Sequence, residues 1–188
     1  MGYVALGIRA LLGAVFLASS IGKVTGRGAF GRFVSSVGDM RVVPRHRARA
    51  VARTVVCAEF VVWPALMAPV PAVAVAGFAV AAGLLVAFAA GIALSTRRGA
   101  RTPCRCFGVS ASPLGPRHIV RNLVLTALAV IGAAATLLDS GAAGPAGPGG
   151  AVVAVSGGLL LGALVAVLDD VLDLFRPVDR ASGPARGR

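Results

Sequence analysis

The chain has 188 residues, 57% of them hydrophobic and 14% charged, with a formal net charge of +12 and a mean hydropathy of +0.86. Soluble domains run about 45–50% apolar and about 25% charged, so an ordinary soluble fold is excluded. A nucleic-acid-binding protein is excluded as well, because the arginines lie in short segments flanking long apolar blocks, where the topology determinants of membrane proteins belong.

Five apolar blocks follow one another along the chain, at residues 4–21, 50–67, 72–94, 119–138 and 151–168. Each falls within the range of about 17–25 residues that a helix needs to cross a bilayer, the first, second and fifth near its short end. The first is read as a retained span, not a cleaved signal: no basic residue precedes it except Arg9, which lies inside it, and a strongly basic segment follows. Residues 28–49 mix Phe30, Phe33 and Val37 with Arg32 and Arg41, which predicts an amphipathic stretch on the inner membrane surface. The second span is the most polar and carries Arg53, Cys57 and Glu59. MAPVP (67–71) is a tight turn into the third span. PCRCFG (103–108) then interrupts the apolar pattern, and GAAGPAGPGG (141–150) reads as a flexible external linker before the fifth span. Asp169, Asp170 and Asp173 end that span, where acids oppose the helix dipole and are expected to pair with loop arginines. ASGPARGR reads as a disordered tail.

These elements predict an all-α integral membrane bundle: a four-helix unit over 1–140, the linker 141–150, an additional transmembrane helix over 151–172 and a tail over 173–188. In lipid, helices associate through small residues that allow close approach. Three such stripes recur at every fourth position: Ala10, Ala14, Ala18 and Gly22; Ala79, Gly83, Ala87 and Gly91; Ala154, Gly158, Gly162 and Ala166. The same faces leave room for a homo-oligomer. Lys23, Arg27, Arg32, Arg41, Arg45, Arg47 and Arg49 lie between spans one and two, and Arg97, Arg98, Arg101, Arg105 and Arg117 between spans three and four. Residues 68–71 and 139–150 contain neither Lys nor Arg. The positive-inside rule puts the basic segments and the C-terminus in the cytoplasm and the N-terminus outside a plasma or inner membrane.

The chemistry-bearing residues are few. Cys104 and Cys106 flank Arg105, with Arg101 and Arg117 nearby. A thiol is a nucleophile only as thiolate, and cations favour that form. A disulfide closed over one intervening residue is strained and easily reduced, which suits reversible exchange. Two inert cysteines, or a zinc site completed by Cys57 or His118, are the other readings, although structural zinc prefers wider Cys spacing. Cys57 reads as a thiol packed like a small hydrophobe, with a relay thiol as the alternative. Glu59 is an intramembrane carboxylate, which is costly unless it faces the interior and is paired. Arg9, Lys23 and Arg121 are its candidate partners in one buried polar cluster, either structural or a proton or quinone site. Arg53 reads as a snorkelling end, and His46 and His118 as isolated surface residues. No metal or phosphate motif is present, and no cofactor is called for beyond a quinone as candidate electron acceptor.

RALLGAVFLASSIGKV in span one, Glu59 in span two, PCRCFG, and Arg121–Asn122 opening span four resemble the methylamine-utilisation family MauE, within the wider DoxX-like membrane proteins. The likeness covers roughly residues 4–138, with PCRCFG its most specific part. It implies a redox-associated membrane protein, linked to maturation of a disulfide-rich methylamine dehydrogenase subunit and acting beside a thioredoxin-like partner. Cys104 and Cys106 become the exchange pair, and Glu59, Arg9, Lys23 and Arg121 the polar cluster. The competing functions are a non-catalytic scaffold or assembly subunit and a small transporter built on Glu59.

Overall fold

The computed structural model describes residues 2–98, 116–139 and 147–174, with side chains described to 138 and to 168 in the last two stretches. Six helices form: α1 Gly2–Val24, α2 Ala29–Asp39, α3 Arg45–Met67, α4 Pro71–Arg97, α5 Pro116–Asp139 and α6 Pro148–Leu174. Among the described residues there is no strand. All but α2 are long and apolar enough to cross a membrane, and the molecule is an all-α, multi-pass membrane bundle.

Proline sets several helix starts. α4, α5 and α6 open on Pro71, Pro116 and Pro148, where the missing N–H has no intrahelical acceptor to lose and φ is already helical. The helices therefore begin before the apolar blocks do. α3 takes in Arg45–Arg49, and α6 absorbs Pro148–Gly150 from the stretch read as linker. The backbone of α6 also runs on to Leu174, past the expected end at 172. Asp169, Asp170 and Asp173 lie on it, but their side chains, the residues 140–146 and the tail from 175 are outside the described residues.

α1 is the centre of the bundle, in contact with α2, α3, α5 and α6, while α4 closes the ring between α3 and α5. The main core joins Leu12, Val15 and Phe16 of α1 to Leu66 of α3, Phe78 of α4 and Leu125 of α5. Along α4 the inward face is Ala74, Phe78, Ala81, Leu85 and Ile92, the 3.6-residue stripe of a helix with one packed side. Val61, Leu123, Val130 and Leu160 stand exposed on the outer surface, as suits side chains whose solvent is lipid.

Small residues decide how α6 meets α1. A Cβ on Gly162 would stand 2.6 Å from the Leu11 carbonyl oxygen and 2.9 Å from the Ala14 Cβ, and one on Gly158 would meet the Gly7 carbonyl and Ala10. The stripes of the first and fifth spans thus pack on each other. The stripe of the third span does not pack within the protomer: Ala79 and Ala87 are exposed, and a Cβ at Gly83 or Gly91 would meet nothing within 4 Å. The face of α4 that packs inward is instead the one carrying Ala74, Gly77, Phe78, Ala81 and Leu85.

α2 is the amphipathic stretch. Phe33 is buried on it and clusters with Ala52 and Val56 of α3, with Phe30, Val34 and Val37 alongside. Gly26 (φ 97°) and Gly28 (φ 75°) supply the left-handed turns that fold α2 back from the end of α1. Arg41 (φ 54°) turns the chain again towards α3. Its carbonyl accepts a hydrogen bond from the Arg98 guanidinium, which ties this turn to the end of α4.

Candidate functional site

The buried charges separate into two sites at different depths. In the first, Lys23 of α1 meets Glu59 of α3, with Nζ 2.7 Å from Oε1 and 2.9 Å from Oε2. The Ser19 hydroxyl donates to Oε1 at 3.1 Å and accepts from the Lys23 ammonium. The side chains of the pair are 2% and 0% exposed. The Phe33 and Phe88 rings face the ammonium at 5.2 and 5.6 Å to their centroids, a cation–π setting strengthened by desolvation. The geometry follows from the helix itself. A Cα–Cβ bond on α1 tilts towards the N-terminus, so Lys23 reaches back from the last turn to Ser19, one turn earlier, and into the bundle.

Arg9 lies elsewhere. It is fourteen residues from Lys23 on the same straight helix, about 21 Å at 1.5 Å per residue. Its guanidinium donates to the Ala68 carbonyl at 3.5 Å and to Thr136 Oγ1 at 3.3 Å, while its buried Nε has no hydrogen-bond partner. Arg121 does not join Glu59 either, whose partners are Lys23 and Ser19. The single cluster of Glu59, Arg9, Lys23 and Arg121 is therefore corrected to a Lys23–Glu59–Ser19 core and a separate Arg9–Thr136 site at the opposite end.

Two other expectations need correction. Cys57 is exposed on the outer face of α3, beside Arg53 and Val61 in helical register, and not packed inside. A thiol directed outward has no place in a relay through the interior. His118 is buried, not at the surface, whereas His46 is exposed. Because α5 starts at Pro116, His118 falls on the inward face with Asn122, Leu125 and Ala129. Asn122 is 1% exposed and Ser95 is fully buried, and neither the Asn122 amide nor the Ser95 hydroxyl has a hydrogen-bond partner.

Sequence reasoning missed Ser19 and Thr136. The Ser19–Lys23 spacing of i, i+4 is the one signal that could have found the first. Nothing in the sequence singles out Thr136, whose hydroxyl also donates to the Gly132 carbonyl in its own helix, as helical threonines do.

A cavity of about 250 Å³ lies between α2, α3 and α4, with Phe33 and Phe88 shared between its wall and the ion pair. Every lining side chain among the described residues is apolar. A quinone ring has room there, but none of these side chains would donate a hydrogen bond to its carbonyl oxygens. Among the described residues no group of three His, Cys, Asp or Glu could hold a metal ion.

Cys104, Cys106, Arg101 and Arg105 lie outside the described residues. The helices on either side of them are described. α4 ends at Arg97 and α5 starts at Pro116, at the end of the bundle that also carries Lys23, α2 and Arg45. This is the basic end of the molecule.

The chain matches the family described as Methylamine utilisation protein MauE over residues 1–135. The matched part takes in α1 to α4, most of α5, Glu59 and the two neighbouring cysteines, and leaves α6 outside. No curated protein and no solved structure gives a significant match.

Proposed function

The chain belongs to the MauE family, and from that premise we propose that it is a membrane protein of thiol–disulfide exchange, with Cys104 and Cys106 as the exchanging pair and a thioredoxin-fold protein as partner. The observation that carries this reading is the pair itself: two cysteines around Arg105 in PCRCFG, joined to the basic ends of two helices in the bundle. Arg97 and Arg98 close α4, Arg117 and Arg121 lie in the first turns of α5, and Arg101 and Arg105 lie in between. That density of guanidinium groups favours the thiolate, with Arg105 and Arg101 as the stabilising residues. The rigid bundle beneath, with α4 and α5 in contact, is the kind of scaffold that functional connections use.

The exchange balances within the two proteins. One thiolate attacks a sulfur of the partner's disulfide, giving a mixed disulfide and a partner thiolate. The neighbouring thiolate then attacks the sulfur of its own chain, closing the Cys104–Cys106 bond and releasing the partner as a dithiol. Two electrons pass to the partner, and the reverse sequence returns them. The Lys23–Glu59 pair acts as an anchor between α1 and α3, because each charge is already satisfied by the other. This favours exchange over a transport pathway through Glu59. A role in methylamine utilisation, and a place among the DoxX-like proteins, belong to the same proposal. The basic end is taken as cytoplasmic, on the charge asymmetry.

Thiol alkylation followed by mass spectrometry tests the chemistry. Mild oxidation is expected to join Cys104 to Cys106, and Cys104→Ser or Cys106→Ser to abolish both that bond and the change in redox state of a thioredoxin-fold partner. A partner redox change in both variants as large as with the wild type would falsify the exchange. A membrane-impermeant maleimide on intact cells reads the side. Both cysteines are expected to be protected in cells and labelled in inverted vesicles, and labelling in intact cells would place the basic end outside.

A further inference from the structure

The Arg9 end of the bundle carries a second feature, independent of the thiol pair. A trough of about 540 Å³ runs along α1 from Arg9 to Ile21. Its floor is small, built of Gly13, Ala14 and Ala18. Trp63 of α3 forms one wall and Leu159 of α6 the other. Twelve residues of helix separate its ends, about 18 Å at 1.5 Å per residue. That is close to half of a hydrocarbon core about 30 Å thick, one leaflet. The head of the trough is level with the Ala68 carbonyl at the turn between α3 and α4, so its long axis starts where a lipid headgroup would sit.

Arg9 supplies the specificity. Its guanidinium makes two long bonds to neutral oxygens, its Nε has none, and among the described residues it forms no ion pair. A cation in the membrane region without an anion is costly. Guanidinium is the side chain best suited to a phosphate, which it binds through two parallel N–H groups. The apolar trough below offers a place for one chain attached to that phosphate.

We propose that this trough binds one phospholipid of net negative charge, with its phosphate on Arg9 and one acyl chain laid along α1 between Trp63 and Leu159. A zwitterionic lipid brings its own ammonium and leaves the Arg9 charge less fully compensated, so the site discriminates by headgroup and not by chain.

Native mass spectrometry of the delipidated full-length protein tests this, with phosphatidylglycerol and phosphatidylcholine of identical chains as probes. Wild type is expected to retain phosphatidylglycerol at least about tenfold more tightly, a difference of about 1.4 kcal/mol. Arg9→Gln should erase the preference, Arg9→Lys should keep part of it, and Ala18→Trp, which fills the trough from an exposed position, should weaken binding of both lipids. Arg98→Gln, at the other end of α4, should leave the preference intact. Circular dichroism melts confirm that each variant is folded. If Arg9→Gln is unfolded, Arg9→Lys and Ala18→Trp decide alone. Equal retention of the two lipids by wild type means bulk annular lipid only and overturns the proposal. So does a preference that survives Arg9→Gln, or a dimer that closes the trough and excludes lipid.

Discussion

Lys23→Met alone is expected to destabilise the protein by roughly 3–5 kcal/mol, the usual consequence of leaving one member of a buried ion pair unpaired. Glu59 is fully buried, and Lys23 gives it two of its three hydrogen bonds. With Met at position 23, only Ser19 remains to hold the carboxylate. Glu59→Leu exposes the converse problem, a buried ammonium that has lost its carboxylate. The double variant Lys23→Met/Glu59→Leu removes both charges together. Because desolvation of the pair offsets much of its attraction, the double variant should recover to within about 1 kcal/mol of wild type or exceed it. Denaturation of the detergent-solubilised protein, followed by circular dichroism, measures all three. A double variant as damaged as the single ones would show that the pair contributes through its hydrogen bonds and not its charges. A harmless Lys23→Met would remove the anchor altogether. The outcome also bears on function, since a double variant that is stable and still exchanges thiols separates the anchor from the chemistry.

The spans were readable in the sequence because transfer into lipid requires unbroken apolar runs. The ends were less so, because a helix does not stop where its hydrophobicity does. Arg45–Arg49 and Pro116–His118 are polar, yet they continue α3 and α5 by about a turn. That extension put His118 on the inward face, which an apolar-block boundary at 119 could not reveal. Glu59 was readable as the expensive residue, and Lys23 as a candidate partner. Placing Arg9 beside them conflicted with arithmetic available on α1 alone, since Arg9 and Lys23 lie about four turns apart. Which small-residue stripe packs was not readable. Gly83 and Gly158 have the same local pattern, and only the tertiary packing leaves one in open space and sets the other against α1. The same limit applies to Cys57, whose direction depends on which face of α3 meets Lys23. PCRCFG was identified from its residues alone, and its chemistry rests on them.

Gly158→Leu is expected to be the most damaging substitution on α6, and Gly83→Leu close to neutral. At Gly158 the obstacle is the Gly7 carbonyl, an atom of the α1 backbone, with Ala10 beside it. Side-chain rotation cannot relieve that contact, so any Cβ must push α6 away from α1. Close approach is what holds helices together in lipid, where apolar burial adds little. Even Gly158→Ala should therefore cost about 1–3 kcal/mol, the range for overpacking a filled site, and Gly158→Leu more, because every contact on either side of the crossing is lost with it. Gly162→Leu should behave alike, against the Leu11 carbonyl and Ala14. At Gly83 a new side chain enters open space on the outer face of α4, and the change even favours the helix by up to about 1 kcal/mol. The single tryptophan gives the readout. Trp63 shares its trough with Val155 and Leu159 of α6, so its emission should change when α6 withdraws in Gly158→Leu and stay at the wild-type value in Gly83→Leu, with thermal midpoints following the same order. If Gly83→Leu proves the harmful one, the outer face of α4 is covered by another chain in the membrane, and its small residues pack between protomers instead of within one.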